Sequence, residues 1–142
     1  MECVFCEIIK GTIKANIVAS NANAIAFLDA TPVSDGHVLV IPKQHYRDLS
    51  SCPIDVLNDV MKLVSEVTHI ISDSKLRPWG FNFVSNEGKI AGQQVMHFHM
   101  HIIPKYSKNE GYEAKFGNRF TGEVQETYAI IMKTKENGKY DK

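Results

Sequence analysis

Residues 97–104 read HFHMHIIP. Histidine alternates there with apolar residues: His97, His99 and His101 against Phe98, Met100 and Ile102. Successive side chains of an extended strand point to opposite faces, so this segment has one imidazole face and one apolar face. The apolar face has to meet a core. A chain carrying this strand therefore builds a sheet that is packed on that side and presents rings spaced roughly 7 Å apart on the other.

The remaining sequence supplies partners for such a sheet. The chain has 142 residues, 44% of them apolar, a length that predicts one domain with a proper core. We read the domain as spanning residues 1–142, with a core over about 3–105 and an extension carrying a helix over 106–142. CVFCEIIKG reads as a short helix closed by Gly11. Residues 17–19 and 24–28 are strands around the polar turn SNAN, and HVLVIP, over 37–42, is an apolar β-branched strand. A long helix is expected over 53–73, with Pro53 at its start and Val56, Leu57, Val60, Val64, Val67 and Ile71 on one stripe. GFNFVSNEG reads as a strand ending in a turn. A last helix is expected over 122–136, with Glu123 and Glu126 early and Lys133 and Lys135 late, as the helix dipole favours. Strands interrupted by helices, with hairpin-like turns, predict an α+β fold with a mostly antiparallel sheet.

Charge narrows the partners. Lys+Arg and Asp+Glu number 16 each, so the formal charge is zero. That argues against broad binding to nucleic acid or to an anionic membrane surface, but leaves room for a small anionic ligand at a local site. No stretch approaches the roughly 18–20 apolar residues of a membrane span. The start, MECVFCEIIKG, lacks the pattern of a signal peptide, so the expected location is cytoplasmic. Three cysteines without an export signal do not read as a disulfide framework.

The imidazole face admits several chemistries. It could be a plain polar face. Histidines at i and i+2 on a strand could share a metal, giving a hydrolase with a three-histidine zinc site. A neutral imidazole could also attack phosphorus while its neighbours hold the phosphate or move protons. The preceding NEGKIAGQQVM favours the phosphate reading. Asn86, Gly88 and Gly92 form a turn expected to offer free backbone N–H groups, and Gln93 adds an amide donor. Of acidic residues, only Glu87 lies nearby in sequence. Cys3 and Cys6 form C-x-x-C, which alone is open between redox, zinc-binding and incidental readings. A redox role would call for a βαβ context, which is absent, and a zinc site would need two further ligands. Cys52 has no evident partner, and His69 lies away from the apolar stripe of its helix.

These segments together resemble one known family. HFHMHII fits His-φ-His-φ-His-φ-φ, with φ apolar, the signature of the histidine triad (HIT) family. AGQQV, FLDATPVSDGHVLVIPKQH and CVFCEIIKG are similar to further segments of that family, in order and over residues 3 to about 105. The pattern is most similar to the Hint-like bacterial branch, which often carries N-terminal zinc-binding cysteines. The resemblance implies a homodimer whose antiparallel sheet continues across the subunits. It implies a purine nucleotide ligand and hydrolysis or transfer at the α-phosphate through a nucleotidyl-histidine. It assigns the nucleophile to His99, phosphate support to His101 and His37, and the leaving-group side to Gln93. It assigns ribose or phosphate contacts to Asp29 and Asn86, and the base pocket to Phe5, Ile8, Phe27 and Leu39. It implies a structural zinc on Cys3, Cys6, His45 and His97, with no metal required for the chemical step. A non-catalytic nucleotide-binding module is the remaining alternative. Gln94, Ala30 and Lys105 depart from the family's common residues, which bears on leaving group and base selectivity.

Overall fold

In the computed structural model, residues 3–138 are described. Helix α1, Val4–Lys10, is followed by strands β1, Ile17–Ser20, β2, Ala24–Leu28, and β3, Val38–Pro42. Helix α2, Ile54–Asp73, leads into β4, Gly80–Val84, then β5, Met100–Lys105, and helix α3, Val124–Glu136. The strands form one sheet in the order β1-β2-β3-β5-β4, and every neighbouring pair is antiparallel. The fold is α+β, as expected. Among the described residues, no helix is long and apolar enough to cross a membrane.

β3 explains how the layers assemble. All five of its residues are buried, which a central strand covered on both faces requires. Val38 and Val40 point to one side, where α2 packs Val56, Val60, Leu63, Val64, Val67 and Ile71. Leu39 and Ile41 point to the other, where Phe5 of α1 meets Phe27. The two sides correspond to the two phases of the strand period. α1 is only seven residues long and depends on its ends. The Cys3 sulfur accepts from the Cys6 N–H at its start, and Gly11, at φ 88°, closes it in the left-handed conformation that glycine tolerates.

The histidine segment differs from expectation in one respect. The hydrogen-bonded strand begins at Met100, so only His101 of the three histidines lies within it. The chain bends at residues 95–97, and the Phe98 N–H donates to the Tyr46 carbonyl at 2.6 Å rather than to a sheet neighbour. The two-sided pattern nevertheless persists. Phe98 and Ile102 are buried in the α2-side core with Met100 packed against it, while His97 and His99 face Phe5 of α1. His37 likewise sits one residue before β3 rather than within it.

Gly36 turns the chain into β3 immediately before His37. Its φ is +85°, and an added Cβ would lie 3.2 Å from Leu76 Cδ1 and 3.3 Å from Pro104 Cγ. Gly36→Ala is expected to lower unfolding stability by about 1–3 kcal/mol, read as a lower denaturant midpoint at unchanged slope.

Candidate functional site

One cavity of about 370 Å³ gathers six of the ten residues predicted for catalysis and nucleotide binding. Its lining includes Phe5, Asp29, Leu39, Asn86, His99 and His101, with Gln94 and Val95 on the loop side. Sheet register brings part of this together, because His101 pairs with Leu39 on β3 and with Val84 on β4. Phe5 stands edge-on to His99, with ring centroids 5.1 Å apart. Phe27 and Ile8 stand behind that wall instead of lining the cavity. Phe27 is buried edge-on against Phe5, at 5.7 Å, and Ile8 packs in the same cluster.

Hydrogen bonds fix the proton positions on the histidines. A carbonyl can only accept, so the 2.8 Å contact between His99 Nδ1 and the His97 carbonyl places the proton on Nδ1. A neutral His99 then keeps its lone pair on Nε2. The carbonyl of His99 itself accepts from the Ser85 hydroxyl at 2.9 Å, upstream of the regular ladder. Burial lowers the His99 pKa below the ordinary 6.5, so the ring is held neutral. The buried His37 is pinned by its neighbours: its Nδ1 accepts from the Val33 N–H at 3.2 Å and its Nε2 lies 2.9 Å from His101 Nδ1. Burial lowers the His37 pKa against the opposing pull of Asp29, whose Oδ2 lies 3.5 Å away. His101 is pushed down to about 4 by burial, and then by His99 and His37.

Gln93 and its loop depart from expectation. Gln93 is buried, and its amide is spent inside the protein: Nε2 donates to the Arg47 carbonyl at 2.7 Å and to the Val95 carbonyl at 3.1 Å, while Oε1 accepts from the Gly88 N–H at 2.8 Å. The neighbouring Gln94 reaches the cavity instead. Nor do the glycines of this turn offer free N–H groups. The Gly92 N–H donates to the Lys89 carbonyl and the Gln93 N–H to the Gly88 carbonyl, closing a 3₁₀ turn over Lys89–Ala91. Asn86 stays at the cavity, its Nδ2 3.4 Å from the Gly92 carbonyl. Asp29 also stays there, with Oδ1 accepting from the Thr31 N–H at 2.9 Å.

Next to the cavity, Cys3, Cys6, His45 and His97 form a group that could hold a metal ion. His97 Nδ1 lies 3.4 Å from Cys3 Sγ, 3.7 Å from Cys6 Sγ and 3.2 Å from His45 Nδ1, and Cys6 Sγ lies 3.4 Å from His45 Nδ1. A tetrahedral zinc, with bonds of about 2.3 Å to sulfur and 2.0–2.1 Å to nitrogen, separates its ligand atoms by about 3.3–3.8 Å. The four distances above lie within about 0.2 Å of those values, and all four ligand atoms lie within 4.8 Å of one another. His97 Nε2 donates to the Pro42 carbonyl at 2.9 Å, which frees Nδ1 as the ligating atom. Burial pushes the His97 pKa down to about 4, so the ring keeps that lone pair. Burial raises the Cys6 thiol, and the neighbouring Cys3 adds to the rise; a bound cation would reverse this by favouring thiolate. Cys52 is buried in the α2-side core, and His69 is exposed on α2 with its Nδ1 donating to the Ser65 carbonyl.

The three triad rings do not converge on one point. The free nitrogen of His97 faces the cysteines, that of His99 is Nε2, and Nδ1 of His101 is engaged by His37. This opposes a single three-histidine metal centre. Asp29, His37 and His101 also lie close enough to hold an ion, but the Val33 N–H occupies His37 Nδ1 and thereby keeps the proton on Nε2, the atom a metal would need.

The HIT domain model matches residues 10–108. The chain belongs to the HIT domain family. An uncharacterized HIT-like protein of Mycoplasma genitalium is 44% identical over 133 residues, covering 94% of each chain. An adenosine 5'-monophosphoramidase of Schizosaccharomyces pombe is 41% identical over 111 residues, or 78% of this chain and 80% of that protein. The crystal structure of a HIT family protein from Bacillus anthracis superposes with a TM-score of 0.86 at 35% identity, covering 96% of each chain. The matched region includes His37, His45 and the triad, whereas Cys3 and Cys6 of the metal group precede it.

Ser85, Thr31 and Val33 are the site's unforeseen members. Thr31 and Val33 act by local hydrogen bonds to Asp29 and His37, and Ser85 by a bond to the His99 carbonyl fourteen residues away, signals that residue type alone does not carry.

Because His101 is held neutral, acid should destabilise the fold. Its pKa falls from 6.5 to about 4 on folding. Between those values the unfolded chain binds the proton that the folded protein excludes, so stability rises with pH across that window and is lost on acidification. Melting temperature measured through this range should fall with acid, and the slope should be shallower in His101→Asn.

Proposed function

We propose that this HIT protein is a nucleoside phosphoramidase-like hydrolase or transferase acting at the α-phosphate of a purine nucleotide derivative. The observation that carries the reading is the hydrogen bond from His99 Nδ1 to the His97 carbonyl. It leaves the unprotonated Nε2 on a neutral, half-buried ring that lines the cavity. Nε2 attacks the α-phosphorus, a P–Nε2 bond forms, and the bond to the amine or phosphate leaving group breaks. Water then adds to phosphorus, the P–Nε2 bond breaks, and nucleoside monophosphate departs. Splitting one displacement into two is the benefit of a covalent nucleophile. Asp29 accepts the ribose hydroxyls, Phe5 and Leu39 flank the base, and His101 with Asn86 attends the phosphate. Gln94 takes the leaving-group side that the family resemblance assigned to Gln93. The phosphoramidase named among the relatives supports the reaction class.

We assign the Cys3, Cys6, His45 and His97 group to zinc. Four protein ligands close the coordination shell, so the ion is structural and ties α1 to the histidine segment. On this reading His97 holds the metal with its ring and orients His99 with its carbonyl. We also propose a cytoplasmic homodimer joined along β4. In support, β4 is an edge strand that carries the exposed Phe83 and follows the largely exposed Trp79.

Three measurements check these assignments. Mass spectrometry during turnover of a slow adenosine phosphoramidate should find AMP on His99, and His99→Ala should lower kcat by about 10³-fold or more. Turnover without any adduct would sink the covalent route. Purified protein should contain about one zinc per chain. Cys6→Ser should lower both zinc content and melting temperature, whereas a metal-free wild type with unchanged melting would refute the assignment. Light scattering should give twice the chain mass, and a monomer would exclude the β4 pairing.

A further inference from the structure

We propose that the backbone N–H of Val33 is a positioning group that sets the direction of a hydrogen-bond chain through His37 to His101, so that His101 presents Nε2–H to the ligand. The inference rests on the proposed phosphate-binding role of His101 and assigns what that role requires.

The argument follows the donors. A backbone N–H can only donate, so Val33 makes His37 Nδ1 an acceptor, at 3.2 Å. A neutral imidazole carries one N–H, so the His37 proton is on Nε2. Two acceptors lie near that proton. His101 Nδ1 is 2.9 Å away and Asp29 Oδ2 is 3.5 Å away. The shorter contact takes it. Asp29 is meanwhile held by the Thr31 N–H and hydroxyl through Oδ1. With Nδ1 accepting, His101 carries its own proton on Nε2. That gives a neutral donor at the cavity, suited to a phosphate oxygen, without any proton moving.

Without the amide, His37 could adopt either neutral tautomer. In the Nδ1–H form its Nε2 would be an acceptor. His101 would then turn Nδ1–H toward it and face the cavity with a lone pair, which repels an anion. One main-chain group therefore decides whether the far end of a two-ring chain attracts or repels phosphate. It lies in the loop before Gly36, remote in sequence from the triad. Its action does not depend on the valine side chain, which explains why residue type alone gives no hint of it.

Nitrogen-15 NMR of the wild type, labelled in backbone and histidine, tests the chain directly. Scalar couplings across the hydrogen bonds are expected between Val33 N and His37 Nδ1, and between His37 Nε2 and His101 Nδ1. His37 and His101 should both show the Nε2–H tautomer. Replacing Val33 by 2-hydroxyisovaleric acid turns its peptide bond into an ester and removes only the N–H. That variant should mix the His37 tautomers and lower kcat on an adenosine phosphoramidate about tenfold, which corresponds to about 1.4 kcal/mol. Val33→Ala keeps the N–H and should retain the wild-type tautomers. An Nδ1–H tautomer at His37 in the wild type, or an ester protein with unchanged tautomers and kcat, overturns the proposal. The wild-type spectra decide even if the ester chain does not fold. They also do not depend on nucleotide turnover, so a failure of the proposed reaction is distinguishable from a failure of this inference.

Discussion

The 2.8 Å hydrogen bond from His99 Nδ1 to the His97 carbonyl is the contact on which the rest of the site depends. It spans only two residues, yet its geometry needs the whole local structure. The His97 carbonyl stays in place because its ring is gripped from both sides, by the Pro42 carbonyl at Nε2 and by the cysteine–histidine group at Nδ1. His99 is held in turn by Ser85 at its carbonyl and by the Phe5 ring at its side. Phe5 lies between Cys3, which caps α1, and Cys6 within it, so the elements that grip His97 also place the wall against His99. A preorganised ring costs no rearrangement when charge develops, which is the usual source of catalytic advantage in a dry site.

The sequence made the architecture readable where periodicity is strong. The stripe on α2 and the alternation of residues 97–102 each match the structure, because burial imposes one phase on a helix or a strand. Element ends were less legible. β5 starts at Met100 because the chain bends at residues 95–97 and turns its next backbone bond to Tyr46, a choice made by tertiary contacts. The placement of the candidate site was readable at residues whose chemistry is distinctive: His99, His101 and Asp29 line the cavity, and Cys3 joins the metal-capable group. It was not readable at Gln93 and Gln94, where two identical side chains leave a tight turn in different directions. The glycine turn misled for a related reason: glycine permits a loop to expose its N–H groups, but this loop closes on itself.

The chain beyond β5 is built differently. Lys105 gathers it by donating to the carbonyls of Glu110 and, at 2.6 Å, Tyr112. Tyr106 adds a bond to the Asp35 carbonyl at 2.8 Å, tying the same stretch to the loop before β3. α3 buries none of its residues and leaves Tyr128, Ile130 and Ile131 exposed. The acid-to-base gradient in the sequence correctly marked a helix, since dipole complementarity is local and needs no partner.

β3 separates two packed clusters of unequal size. Val38 and Val40 belong to the large one against α2, and Leu39 and Ile41 to the small one beneath α1. The small cluster leans on more than apolar burial, since the cysteine–histidine group at the start of α1 stands beside it. A single strand thus joins a half secured by hydrophobic packing to a half secured partly by polar contacts, and the Phe5 wall against His99 belongs to the second.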